Sequence, residues 1–276
     1  DPLNPETIYT GGVDIWKSTD GGTTWNITAH WYGGCSVAEV HADIHMLKYS
    51  PYDGNLYTCN DGGIYHSADG GSTWIDHTET MTIGQIYKLG QAQTVREKVI
   101  NGFQDNGTYT YTLPNWLATG GGDGMECAFD YEDAAWSYHT LYYGSVYRKY
   151  NNSNEVKIAG ENVNGITEGG AWITPFLLSV TDPGTMYIGY KNIWRSDDIK
   201  SSPIEWEQIS DFGTANNCAV MEQSSADPDI FYVARYDNRF FRSDNITDAD
   251  PDWVEITGFL PGVSHPTDIE THPEEP

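Results

Sequence analysis

The stretch HADIH at 41–45 is where residue type and spacing first suggest chemistry in this chain. On a strand, His41, Asp43 and His45 would share one side, with Ala42, Ile44 and Met46 on the other. Imidazole and carboxylate at alternate positions can chelate a transition metal, and a His-x-Asp pair can act as an acid/base dyad. The same trio can also be buried polar groups that find their partners in neighbouring loop amides. The sequence leaves all three roles open.

Three further acidic motifs are flanked by glycine: Asp61 in NDGG (60–63), Asp105-Asn106 in QDNG (104–107) and Asp123 in GGDG (121–124). Glycine lets a ligand approach the backbone closely, so these loops are candidate binding loops, with simple turn capping as the competing role. Together with His41, Asp43 and Gln104 they make up the candidate ligand-binding set. Asp61, Asp105 and Asp123 are the candidate catalytic carboxylates, because a glycosidase needs two carboxyl groups at a fixed separation. Clustered carboxylates make calcium the first ion to expect, whereas His41, Asp43 and His45 would favour a transition metal. Trp31, Tyr32 and Trp116 are candidates for stacking on sugars, with core packing as the alternative.

The scaffold for these residues is written into the chain as a repeat. STDGGTTW (18–25) returns as SADGGSTW (67–74), at a period of about 50 residues, the range of repeat architectures. Each octapeptide follows a short aromatic strand and leads into another that starts at Trp25 or Trp74, which makes Asp-Gly-Gly a hairpin turn. Ser18 and Asp20, and likewise Ser67 and Asp69, can bond turn amides, while Gly22 and Gly71 supply positive φ. These residues are expected to be structural staples.

The phrase recurs in weaker form at 182–198, leading to EWEQIS, and at 228–245, leading to DWVEIT, with Asp-turns expected at Ser196-Asp197 and Ser243-Asp244. Two units without the box lie between 83 and 160. Six four-stranded units of this length predict an all-β propeller, one domain over 1–276. Alternation of strands within each unit puts the Asp61, Asp105 and Asp123 loops on the face opposite the boxes. The first unit starts at its second strand and the chain ends in TDIETHPEEP. A strand near 266–272 is therefore expected beside 7–11, closing the ring, although an arc of a longer propeller would read the same way.

The chain has 276 residues, 40 acidic against 14 basic, for a net charge of −26. That field argues against nucleic acid and anionic membranes as partners. No run approaches the roughly 20 apolar residues of a membrane span. The opening DPLNPETIY reads as a mature piece or an excised fragment. Cys35, Cys59, Cys127 and Cys218 show no metal-finger spacing, and their pairing is left open.

At the boxes, the chain resembles Asp-box (BNR) repeat propellers, the repeat of sialidases, xyloglucanases and sortilin-type proteins. Over about 35–150, HADIH, NLYTCNDGGIYHSADGGSTW, INGFQDNGTY and GGGDGMECAFDYED together resemble secreted bacterial sortilin-like or BNR-repeat glycosyl hydrolase-like proteins. The resemblance implies a secreted or cell-surface propeller, and it transfers fold better than activity. The expected function is binding of a glycan or protein ligand through the Asp61/Asp105/Asp123 face, with glycoside hydrolysis by the same carboxylates as the alternative. A sialidase would need clustered arginines for the substrate carboxylate, and the six here show no such grouping.

Overall fold

The computed structural model describes residues 1–81, 84–259 and 266–275. The described residues hold 24 strands in six four-stranded sheets, with four single 3₁₀ turns between strands. The chain divides into two compact units, Asp1–Gly84 and Gln85–Pro276.

Unit one carries two sheets. The first orders β1 (Ile8–Gly11), β2 (Ile15–Ser18), β3 (Asn26–His30) and β4 (Ala38–Glu39); the second orders β5 (Ile44–Tyr49), β6 (Leu56–Asn60), β7 (Gly63–Ser67) and β8 (Ile75–Asp76). Ile15, Ala29 and Val40 form the buried core of this unit, joined by Tyr9, Ile44, Leu47, Tyr65 and Trp74.

Unit two carries four sheets. These are β9 (Ile86–Gln91) to β12 (Asn115–Gly120), with β10 (Lys98–Phe103) and β11 (Gly107–Thr112) between; and β13 (Cys127–Phe129), β14 (Trp136–Leu141), β15 (Ser145–Tyr150) and β16 (Val156–Ala159). Then come β17 (Phe176–Leu178), β18 (Met186–Gly189), β19 (Ile193–Ser196) and β20 (Glu207–Gln208), and finally β21 (Cys218–Gln223), β22 (Phe231–Arg235), β23 (Phe240–Ser243) and β24 (Val254–Glu255). Every sheet pairing is antiparallel between sequence neighbours except β3 with β4, which is parallel. These are the up-and-down sheets that the repeat predicts, six in number.

The strand expected near 266–272 is absent from the described residues 266–275, so the closing pairing beside 7–11 is not shown. The fourth place in the first sheet is taken by the two-residue β4. Within 266–275, the His272 ring Nδ1 accepts the Glu274 and Glu275 amides, which turns the chain. All four cysteines are free thiols.

The two strong boxes fold alike. The Ser18 hydroxyl accepts the Gly22 amide at 2.8 Å and donates to Asp20 at 2.8 Å; Asp20 accepts the Thr24 amide at 2.8 Å and its hydroxyl at 2.6 Å. Ser67, Asp69, Gly71 and Thr73 repeat the set at 2.7 to 2.8 Å. Gly22 and Gly71 adopt φ of 91° and 87°, which favours glycine. These bonds, the Thr24 and Thr73 hydroxyls foremost, hold the Asp20 and Asp69 carboxyls down at about 2. Trp25 donates to the Gly22 carbonyl at 3.0 Å, whereas Trp74 packs on the unit-one core.

In the weaker boxes the capping residue lies one position later than expected. Asp198, not Asp197, accepts the Lys200 and Ser201 amides; Asn245, not Asp244, pairs with Ser243 and accepts the Asp252 amide. The geometry requires the acceptor two residues after the serine, as in Ser18–Asp20.

A second device ties one sheet to the next. A cation on an inner strand, β2, β15 or β19, reaches carbonyls of the following box loop: Lys17 to Gly70, Arg148 to Ile199 and Ser201, Arg195 to Ile246 and Asp248. Tryptophans reach back the other way, Trp206 to the Ile158 carbonyl and Trp253 to that of Ile209, both at 2.9 Å.

Candidate functional site

In unit one the HADIH trio does not share a strand face. β5 begins only at Ile44, and Asp43 sits at φ 63°, a left-handed turn that ends the alternation. The His41 ring is laid over the β6–β7 turn, where a Cβ on Gly62 would come within 2.3 Å of it. Its Nδ1 faces the Ala42 carbonyl at 3.2 Å. His45 points the other way, largely exposed, with Nε2 on the Asp61 carboxylate. The Asp43 and Asp61 carboxylates lie within 4.8 Å of each other. His45 thus meets Asp61, which lies near Asp43, while the His41 ring lies over the Gly62 turn. Carboxylates alone suit calcium, whereas an imidazole joining them would favour a transition metal.

In unit two the β10–β11 turn carries Gln104, Asp105 and Asn106, and Asp123 lies between β12 and β13. The two loops are bound together. The Asp105 amide donates to Asp123 Oδ1 at 2.5 Å, and the Gly124 amide to the Phe103 carbonyl at 2.9 Å. The backbones touch so closely that a Cβ on Gly124 would sit 2.3 Å from the Gly107 carbonyl, and one on Gly102 2.1 Å from that of Met125. The glycines that flank these aspartates thus serve loop-to-loop packing. Asp105 itself adopts φ 60°. Gln104 accepts the Tyr87 hydroxyl at 2.9 Å, Asn106 Nδ2 donates to the Gln104 carbonyl at 3.1 Å, and the Trp172 indole donates to Tyr87 at 3.2 Å. Asp105 and Asp123 come together on one loop end of the unit, half-exposed.

Sequence reasoning missed Glu126, three residues after Asp123. Burial pushes its carboxyl up to about 7, while Lys88 Nζ at 3.8 Å pulls it partly back. On β21 of the same unit, burial also raises Glu222 to about 7, with Glu270 and Asp268 of the C-terminal segment adding repulsion. It also missed Tyr142, Tyr143 and Trp172, exposed rings in loops at the same strand ends as Asp105 and Asp123. The available signal was an aromatic pair beside a glycine in LYYG (141–144), where the strand ends at Leu141. Trp31 and Tyr32 are exposed on the turn after β3, and Trp116 packs beside Tyr111 and Phe103 on β12.

A cavity of about 660 Å³ opens elsewhere, at the 195–208 loop, lined by Arg195, Asp197, Glu205 and Glu207. Its cation is engaged by Asp197 and by the Ile246 and Asp248 carbonyls, so the cavity lacks the free positive group an anionic ligand would need. Arg148 and Arg235 are spent on backbone carbonyls in the same way, and Arg239 on Glu255.

No protein-family model matches the chain, and no curated protein matches it in sequence. Several solved structures resemble it. A GH74 enzyme from Niastella koreensis is 14% identical over 92% of this chain and 49% of that one, with a TM-score of 0.36. YCF48 from Cyanidioschyzon merolae is 10% identical over 91% and 81%, with a TM-score of 0.46. The WD40 β-propeller domain of Doa1 is 11% identical over 95% and 81%, with a TM-score of 0.47. The chain spans about half the length of the first GH74 structures it resembles.

Proposed function

We propose that residues 1–276 form one extracellular or cell-surface β-propeller of the Asp-box type that binds a glycan or protein ligand through the loops of Asp61, Asp105 and Asp123. Six four-stranded sheets and two identically bonded Ser-x-Asp hairpins support the architecture. The observation that carries the binding role is the tie between the Asp105 amide and Asp123, which gathers Gln104, Asp105 and Asp123 into one half-exposed group. No helix among the described residues is long and apolar enough to cross a membrane. Nucleic acid is opposed by the net charge of −26.

Ligand capture by the wild type, set against Asp123→Ala, Asp61→Ala and the box variant Asp69→Ala, tests the reading. Binding should fall with the first two and persist in the third; the reverse order would overturn it. The alternative, a glycoside hydrolase with its acid and base on this face, draws on one observation. Glu126, close by in sequence, has a carboxyl held near neutrality, as a general acid requires. Turnover of plant and algal polysaccharides that is lost in Glu126→Gln would favour it.

A further inference from the structure

We infer that the Tyr142–Tyr143 turn and the Trp172 loop of unit two build an aromatic shelf that stacks the pyranose rings of a neutral glycan. This rests on the binding face proposed above and names the ligand class for its unit-two part.

The three rings are ordered yet open to solvent, with Tyr142, Tyr143 and Trp172 exposed by 39%, 57% and 42%. Tyr142 lies parallel to Trp172 at 5.3 Å and 9°, and Tyr143 stands across both, at 75° to the first and 80° to the second. The result is an L-shaped surface with a floor and a wall. Two backbone bonds knit the loops together, from the Tyr143 amide to the Trp172 carbonyl and from the Gly170 amide to the Tyr143 carbonyl. The Trp172 indole donates inward to the Tyr87 hydroxyl, so this ring presents carbon rather than a polar tip.

Presentation of the wall strains the chain. Tyr143 adopts φ 60° and ψ 26°, an outlier for a bulky residue. Gly144 follows at φ 75°, pressed on Tyr190 so that a Cβ would lie 2.4 Å from that ring. A left-handed tyrosine with its ring in solvent gains no core packing in return, which points to a use for the ring itself.

The chemistry selects the ligand. A pyranose has an apolar C–H face that covers an aromatic ring and a rim of hydroxyls that need acceptors. The Asp123 loop supplies the rim: a Cβ on Gly122 would sit 3.7 Å from the Tyr142 ring, and Asp123 and Asp105 follow at once. A polyanionic glycan is opposed by the net charge of −26. A basic peptide would be drawn to carboxylates all over the surface rather than to this shelf.

Titration calorimetry with cellohexaose, xylohexaose, mannohexaose, laminarihexaose and maltohexaose tests this, with hexagalacturonate and hexalysine as charged counterparts. At least one neutral hexasaccharide should bind equally at low and high salt. Tyr143→Gly and Trp172→Ala should each weaken it about tenfold or more. Tyr143→Gly should melt no lower than wild type, because glycine accepts the left-handed conformation, so lost binding there is not lost folding. Binding that survives both ring variants but fails in Asp123→Asn overturns the shelf and leaves the acidic face standing. Salt-sensitive hexalysine binding without any hexasaccharide overturns the glycan class and likewise leaves the face. Silence toward every neutral probe overturns the inference.

Discussion

Replacing Glu126 by glutamine should flatten the stability of the protein between about pH 5 and pH 8. Burial lifts this carboxyl from 4.5 to about 7 in the folded chain. A raised folded value means that the proton is held more tightly in the native state. Its stabilising contribution is thus complete below 4.5 and is lost as pH rises through about 7. The separation, at about 1.4 kcal/mol per pH unit, amounts to about 3 kcal/mol by pH 8, most of it falling between pH 5 and pH 8. Lys88 at 3.8 Å is already counted in that value. Glutamine keeps the shape, stays neutral and cannot titrate. Urea unfolding at a series of pH values should show the wild type losing about 2–3 kcal/mol relative to Glu126→Gln across this range. Parallel curves would mean that Glu126 is solvated and that the burial reasoning fails.

Other outcomes follow from the same geometry. Asp69→Ala should melt a few degrees lower with ligand binding intact, and the Asp20 and Asp69 contribution should vanish as pH falls from 3.8 toward about 2 in an acid melt. His139, buried and lowered to about 4, should cost stability as pH falls below 6.5, and His139→Phe should remove that slope. Arg195→Met should destabilise by about 3 kcal/mol in urea, because the Ile246 and Asp248 carbonyls lose a charged donor. After chelator dialysis, a zinc-induced rise in melting temperature should disappear in His45→Ala and survive in His41→Ala; calcium acting in place of zinc would count against the imidazole.

What the sequence displayed was local. Ser18–Trp25 and Ser67–Trp74 announce their hairpins because serine, aspartate and glycine close the turn within a few residues, so the repeat and six sheets could be counted. The Gly-flanked loops were visible as well, and Asp105 and Asp123 do meet. Hidden features depended on a single dihedral or a distant neighbour. Asp43 turns left-handed and splits HADIH, which periodicity cannot show. In the weak boxes the acceptor falls at Asp198 and Asn245, although Asp197 and Asp244 stand nearer the serine. Trp172 lies 29 residues beyond Tyr143 in the chain, so nothing local joined it to the Tyr142–Tyr143 pair.

The forward-reaching cations and backward-reaching tryptophans join neighbouring sheets at the box end. A chain built this way divides its labour. The far-end loops are tied in a different way: the 104–106 loop to 123–124 through backbone amides, and Glu168 of the 161–172 loop to Asn192 and Trp194. For an engineer, the box end sets the spacing and the far end is the side to vary residue by residue. Exposed side chains there, such as Asn106 and Tyr143, can be exchanged for new recognition groups, while the loop-to-loop bonds and the spacing between one box and the following one have to be kept.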